Sequence, residues 1–142
     1  MMVLDTNVLS ELMREAPSPA VVIWLARQDV TRIRTTAINS AEILAGIAVL
    51  PEGRRRAGLL SAAHRMFSED FANRLLPFDQ KAAPYYAEIL AARQNLGRRI
   101  EPLDAMIAAV ARAFGAAVAT RNVSDFDDCG ITLHDPWSEF VG

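Results

Sequence analysis

The sequence holds one cysteine, Cys129, and one lysine, Lys81. A lone thiol excludes an intramolecular disulfide and any cysteine-built zinc site; we read Cys129 as a structural thiol. With one lysine, nearly all the positive charge is arginine. The planar arginine fork suits two-point contact with phosphate, although GC-rich coding bias produces the same skew. Histidine is scarce too: His64 and His134 show no metal-ligand spacing and no orienting partner that the sequence assigns, so both read as ordinary helix or surface residues. Long apolar runs are missing, because Asp5, Glu11, Arg14 and Glu15 interrupt the first one early. Neither a signal peptide nor a membrane span is therefore expected, and the expected compartment is the cytoplasm. Gly46, Gly53 and Gly58 form no GxGxxG or P-loop pattern, which leaves dinucleotide and nucleoside-triphosphate binding without support.

What is present is the balance of an ordinary soluble globular chain, with 51% hydrophobic and 23% charged residues in 142. That length predicts a single domain over residues 1–142. A net charge of −2 decides nothing about nucleic acid, which needs only a local basic surface.

Short β-like runs alternate with longer helical patterns. Met2–Leu4, Arg32–Thr35, Arg74–Pro77, Ala117–Ala119 and Ile131–Leu133 read as strands. Helices are expected from Val8 to Arg14, from Pro19 behind a Ser18 cap, from Asn39 or Ser40 to Leu50, and from Arg54 to Phe67. Two more run from an Asp79 cap to Leu96 and from Leu103 to Phe114, closed by Gly97 and Gly115. This alternation predicts a parallel sheet with helices on both faces, whose ligands sit beyond the carboxyl ends of the strands.

Four acids stand out against the pattern. Asp5 ends the first strand. Glu42 is the only charge between Arg34 and Glu52, among Ala41, Ile43, Leu44, Ala45 and Ile47. Asp104 opens a helix with no further charge until Arg112, and Asp125 lies in the loop leaving the Ala117–Ala119 strand. Singly, each has an ordinary explanation. Asp5 would cap a helix, Asp125 would make an Asx turn, and Asp104 would complement a helix dipole for about 0.3–1 kcal/mol. Glu42 is harder, because a lone carboxylate on an apolar helix is costly unless paired or metal-bound. Together they fall on the ligand-binding edge of the sheet, where clustered carboxylates would repel without a cation. Mg²⁺, or Mn²⁺ in its place, prefers oxygen ligands and keeps waters for exchange.

VLDTNVLSEL, NSAEILAG, EPLDAMIAAVARAFGA and ATRNVSDF, in this order and spacing, resemble the four motifs of PIN-domain ribonucleases. The resemblance is nearest to toxin subunits of VapBC-type toxin–antitoxin pairs, in the FitB-like plasmid-stability branch, and it covers essentially the whole chain. The closing ITLHDPW is similar to that branch's final strand and Asn-Pro-Trp. It implies a PIN-like three-layer α/β/α sandwich with a short, mainly parallel central sheet. The family's metal-site acids fall on Asp5, Glu42, Asp104 and Asp125, with supporting polar residues at Thr6 or Asn7 and at Thr120 and Asn122. His134-Asp135 departs from the more usual Val-Asn, and Asp127 and Asp128 are rivals to Asp125 as the fourth acid. The implied activity is a Mg²⁺-dependent endoribonuclease, acting on RNA, homodimeric and covered by a cognate antitoxin.

Arg98, Arg99 and Arg121 lie near these acids and are candidates for RNA phosphate contacts, whereas Arg54-Arg55-Arg56 reads as a solvated helix start. Leu9, Leu12, Val22 and Trp24 are expected to offer an apolar groove to an antitoxin helix or a second copy. Two other readings stay open: a non-catalytic PIN-like binding or assembly protein, and an acidic-site phosphatase-like α/β domain. The latter needs a lysine near its strand-end aspartate, and Lys81 belongs to no such motif.

Overall fold

Strand β1 (Met2–Leu4) lies at the centre of a five-stranded sheet in the computed structural model, which describes residues 1–139. On one side it pairs with β2 (Ile33–Thr36), which pairs with β3 (Leu75–Leu76). On the other it pairs with β4 (Ala117–Ala119), followed by β5 (Leu133–His134). Every pairing is parallel, so all carboxyl ends share one edge.

Alternation along these short strands divides the interior in two. Val3 and Val118 point into a core layer with Ile89 and Ile107, while Leu4 and Ala119 point into another with Val8, Val21 and Ile43. The first layer is covered by α5 (Ala83–Asn95) and α6 (Pro102–Ala113). The second is covered by α1 (Thr6–Leu12), α2 (Pro19–Ala26), α3 (Ala37–Ala48) and α4 (Arg54–Arg65). This is the three-layer α/β/α sandwich. Because α6 packs against α5, α3 and β4, its residues Ala105 and Ile107–Ala111 are wholly buried. Its four alanines within that stretch let neighbouring backbones approach closely, and its only acid, Asp104, sits in the first turn at the sheet edge.

Several boundaries differ from the sequence reading. Helix α1 begins at Thr6, because Asp5 itself is the N-cap and accepts the Thr6 N–H at 2.8 Å. Helix α3 begins at Ala37 behind Thr36, so Asn39 belongs to a capping box and not to the helix start. Helix α4 runs on into a π turn, Met66–Asp70, and α5 starts at Ala83, past the expected Asp79 cap. The last strand lies at Leu133–His134 instead of Ile131–Leu133. Gly97 and Gly115 do adopt left-handed φ values of 69° and 65° as helix terminators. Leu9 and Trp24 are core residues at 0% and 5% exposure, which removes them from the expected groove; Val22 stays exposed. Among the described residues, no helix is long and apolar enough to cross a membrane.

Candidate active site

The strand order turns outward in both directions from β1, so the crevice beyond the carboxyl ends of β1 and β4 is a topological switch point. Asp5 stands there. Its N–H continues the ladder to the Ala119 carbonyl at 2.9 Å, which fixes its backbone. Its carboxylate is almost fully buried and surrounded by donors. Thr6 N–H (2.8 Å) and Asn39 Nδ2 (3.1 Å) donate to Oδ1, and Thr120 Oγ1 (2.8 Å) and Asn7 Nδ2 (3.4 Å) donate to Oδ2. Burial raises the Asp5 pKa, the bonds from Thr120, Thr6 and Asn39 oppose the rise, and the charge of Asp125 adds to it.

Asn39 opens the NSAEILAG motif and in sequence reads only as a helix start, yet it links two acids. Its side-chain oxygen is taken up by the Thr36 hydroxyl (2.6 Å), so its amide nitrogen faces Asp5 and Thr6 Oγ1 (3.1 Å). Thr6 Oγ1 in turn donates to Glu42 Oε1 at 2.8 Å. Glu42 also has a raised pKa, through burial first, opposed by Thr6 and reinforced by Asp5.

Asp104 has no such cradle. Among the described residues its carboxylate accepts no hydrogen bond, and its pKa is raised to about 7 by burial and then by the charges of Asp5, Asp125, Glu42 and Glu101. The same four acids (Asp5, Glu42, Asp104, Asp125) line a single open cleft of about 810 Å³. Asp125 reaches it from a 3-10 turn, Val123–Phe126, anchored by the buried Phe126 ring. Asp127 and Asp128 do not line the cleft; they pair with Arg98 at 3.6 and 3.0 Å.

The basic groups are distributed differently from the sequence reading. Arg121 lines the cleft, its guanidinium 5.0 Å from the Trp137 ring centroid, and Trp137 lines the cleft as well. Arg98 and Arg99 do not. Arg14 and Arg55 do, and Arg55 had read as part of a solvated helix start. Of the supporting polar residues, Thr6, Asn7 and Thr120 hold Asp5 or Glu42, while the Asn122 N–H donates to Thr120 Oγ1 at 3.1 Å. His134 meets Glu139 at 2.9 Å, away from these acids.

The donor set is all carboxylate oxygen, which suits a hard divalent cation. Among the described residues no three acids close on one point as a complete ligand set. Mg²⁺ tolerates that, since it is commonly held by one or two carboxylates and keeps several waters. Burial first and the neighbouring acids second push the Asp104 carboxyl up to about 7, and a cation in the cleft would oppose both.

The family model for the PIN domain matches residues 2–130. The chain is 39% identical over 137 residues to VapC ribonuclease Y4jK of Sinorhizobium fredii, covering 96% of this chain and 98% of that one. It is 34% identical over 139 residues to toxin FitB of Neisseria gonorrhoeae, covering 98% and 100%. In three dimensions it is similar to the crystal structure of FitAcB from Neisseria gonorrhoeae, with a TM-score of 0.89, 35% identity, and 97% and 99% of the two chains covered.

Proposed function

The chain belongs to the PIN-domain family, and on that premise we propose that it is a Mg²⁺-dependent endoribonuclease acting as the toxin of a toxin–antitoxin pair. The observation that carries this reading is the convergence of four acids from four separate chain segments on one cleft, with Asp104 at a pKa of about 7. A binding-only protein has no need to gather four acids from separate segments into one half-buried cleft. That its relatives are named a ribonuclease and a toxin supports the same reading.

Asp5, Glu42 and Asp104 would hold the ion, with Asp125 completing the site. When bound, Mg²⁺ supplies Lewis-acid activation of water and neutralises charge on the phosphate and leaving oxygen. The chain's own residues do the rest. The four donors around Asp5 fix its carboxylate before substrate arrives, and Thr6 aims Glu42. Arg121, steadied over Trp137, and Arg55 and Arg14 along the cleft present guanidinium groups to the RNA backbone. Attack by water on phosphorus, with the P–O3′ bond breaking and the 3′-oxygen taking up a proton, would leave a 5′-phosphate and a 3′-hydroxyl.

A cytoplasmic toxin of this kind must be silenced, and an arginine from the antitoxin would pair with the same carboxylates. A second cavity of about 770 Å³, lined by Leu12, Leu25, Met66 and Phe71 among others, offers an apolar seat for an antitoxin helix or for a second copy in a homodimer.

The test uses purified protein and RNA, with Asp104→Asn prepared identically as the control for contaminating nuclease. The expected result is cleavage with Mg²⁺ or Mn²⁺, none in excess EDTA, and products that ligate through a 5′-phosphate. Wild-type cleavage persisting in EDTA, with the variant inactive, overturns the metal mechanism.

A further inference from the structure

Arg93, in the last turn of α5, is only 4% exposed and forms no ion pair among the described residues. Its guanidinium is held by carbonyls instead. Nε donates to Arg98 O at 2.8 Å and Nη2 to Arg99 O at 3.1 Å. Nη1 donates to Asp125 O at 2.9 Å and Asp127 O at 3.0 Å. These carbonyls belong to two segments distant in sequence. One, Arg98–Arg99, leads within a few residues into the first turn of α6 and Asp104; the other carries Asp125. Helix α5 itself contributes no side chain to the cleft.

We infer that Arg93 is a positioning residue, a buried cation whose fork sets the backbone under Asp125 and fixes its spacing from the approach to Asp104. The inference rests on Asp125 acting in the proposed site. Only a planar fork with five N–H donors spans four carbonyls in this way. A lysine presents three donors from one point and would serve one segment at the expense of the other. Burying an arginine without a carboxylate is costly, and simple helix termination does not require it. The arrangement is accounted for by the need to keep two acid-bearing segments in register while their charges push apart.

The experiment compares Arg93→Lys, Asp125→Asn and the double variant, with Arg93→Gln as a second, neutral probe of the same contacts. In RNA-free protein, Mn²⁺ binding is read from the paramagnetic resonance of the free ion, and amide hydrogen exchange is followed by segment. For Arg93→Lys we expect faster exchange over residues 122–130 with β1 and α6 still protected. Mn²⁺ affinity should fall about 10- to 100-fold, the usual range for residues that support metal ligands, and kcat should fall more than KM rises. The double variant should lose clearly less than the product of the two single losses, because Arg93 acts in large part through the Asp125 carboxylate. Unchanged exchange, or wild-type Mn²⁺ affinity and kcat, in both Arg93 variants while Asp125→Asn is impaired overturns this inference alone. Losses that multiply in the double variant also overturn it. Wild-type behaviour of Asp125→Asn removes Asp125 from the proposed site, and the inference with it.

Discussion

Asp5 and Asp104 line the same cleft and are treated in opposite ways. Asp5 is clamped by four donors drawn from β1's exit, α3 and β4's exit. Asp104 projects from the first turn of α6 with no donor among the described residues and a pKa of about 7. One side of the site is solvated by protein dipoles; on the other, burial and the neighbouring acids push the carboxyl toward its protonated form. The difference shows how such a cleft can be preorganised without being self-sufficient. The clamped acid has its charge answered by hydrogen bonds, and the unclamped one has only burial and other acids about it.

The widest break in this comparison is in activity against stability. Asp5→Asn puts an amide among donors, turning N–H toward N–H or O–H. Cleavage should fall by at least about a hundredfold, beyond the range for residues that merely support ligands. The fold should lose about 1–3 kcal/mol, the cost of unsatisfied buried polar groups. Asp104→Asn should also abolish most cleavage, yet melt at the same temperature or a few degrees higher without metal, because it relieves repulsion at no hydrogen-bonding cost. Initial rates and melting curves on both variants decide this; a melting loss in Asp104→Asn equal to that of Asp5→Asn erases the distinction.

A smaller effect sharpens the clamped side. Asn39→Ala removes the bonds to Asp5 and Thr6 and those its side-chain oxygen accepts from the Thr36 N–H and hydroxyl, while the backbone N–H of residue 39 keeps its bond to Thr36 Oγ1. We expect a roughly tenfold loss in cleavage, again on the scale of residues that orient ligands. About 1–3 kcal/mol of stability should go with it, the cost of leaving buried polar groups without partners. Full activity with lowered stability would reduce Asn39 to a structural cap.

The smallest effect is in pH. Asp104 titrates near 3.8 when unfolded and near 7 in the fold. Between those values the folded chain holds a proton that the unfolded chain has released, so stability falls as pH rises across that window. Metal-free wild type should therefore melt a few degrees lower at pH 7.5 than at pH 5, by more than Asp104→Asn does. Saturating Mg²⁺ should shrink the gap. Equal slopes in the two proteins would show that Asp104 is not the titrating group.

Much of this was legible in the sequence because it depends on local rules. Strand–helix alternation gave the parallel sheet, and the isolation of Glu42 and Asp104 in apolar helices marked them for one cleft. The Asp5 cradle was only half legible. Thr6, Asn7 and Thr120 lie inside the first and fourth motifs and read there as supporting residues, whereas Asn39, which opens the second motif, reads as a helix start until β1 is placed against β2 and Thr36 takes the capping position. Arg93 was not legible at all. In sequence it is a basic residue in a helix's last turn, the position favoured by the helix dipole, and only the packing of three segments shows its carbonyl partners. The choice between Asp125 and its neighbours likewise depended on a loop conformation, in which Asp128 takes a left-handed φ of 61° and, with Asp127, faces Arg98.

The central place of β1 also sets a clock. Asp5 and its partner Thr120 are separated by 115 residues, and translation proceeds at about 5–20 residues per second. The first strand therefore waits on the order of 6 to 23 seconds for β4, and the last acid of the cleft is made only after that. Until then the four acids are not gathered, so the cleft does not exist while the middle of the message is being read.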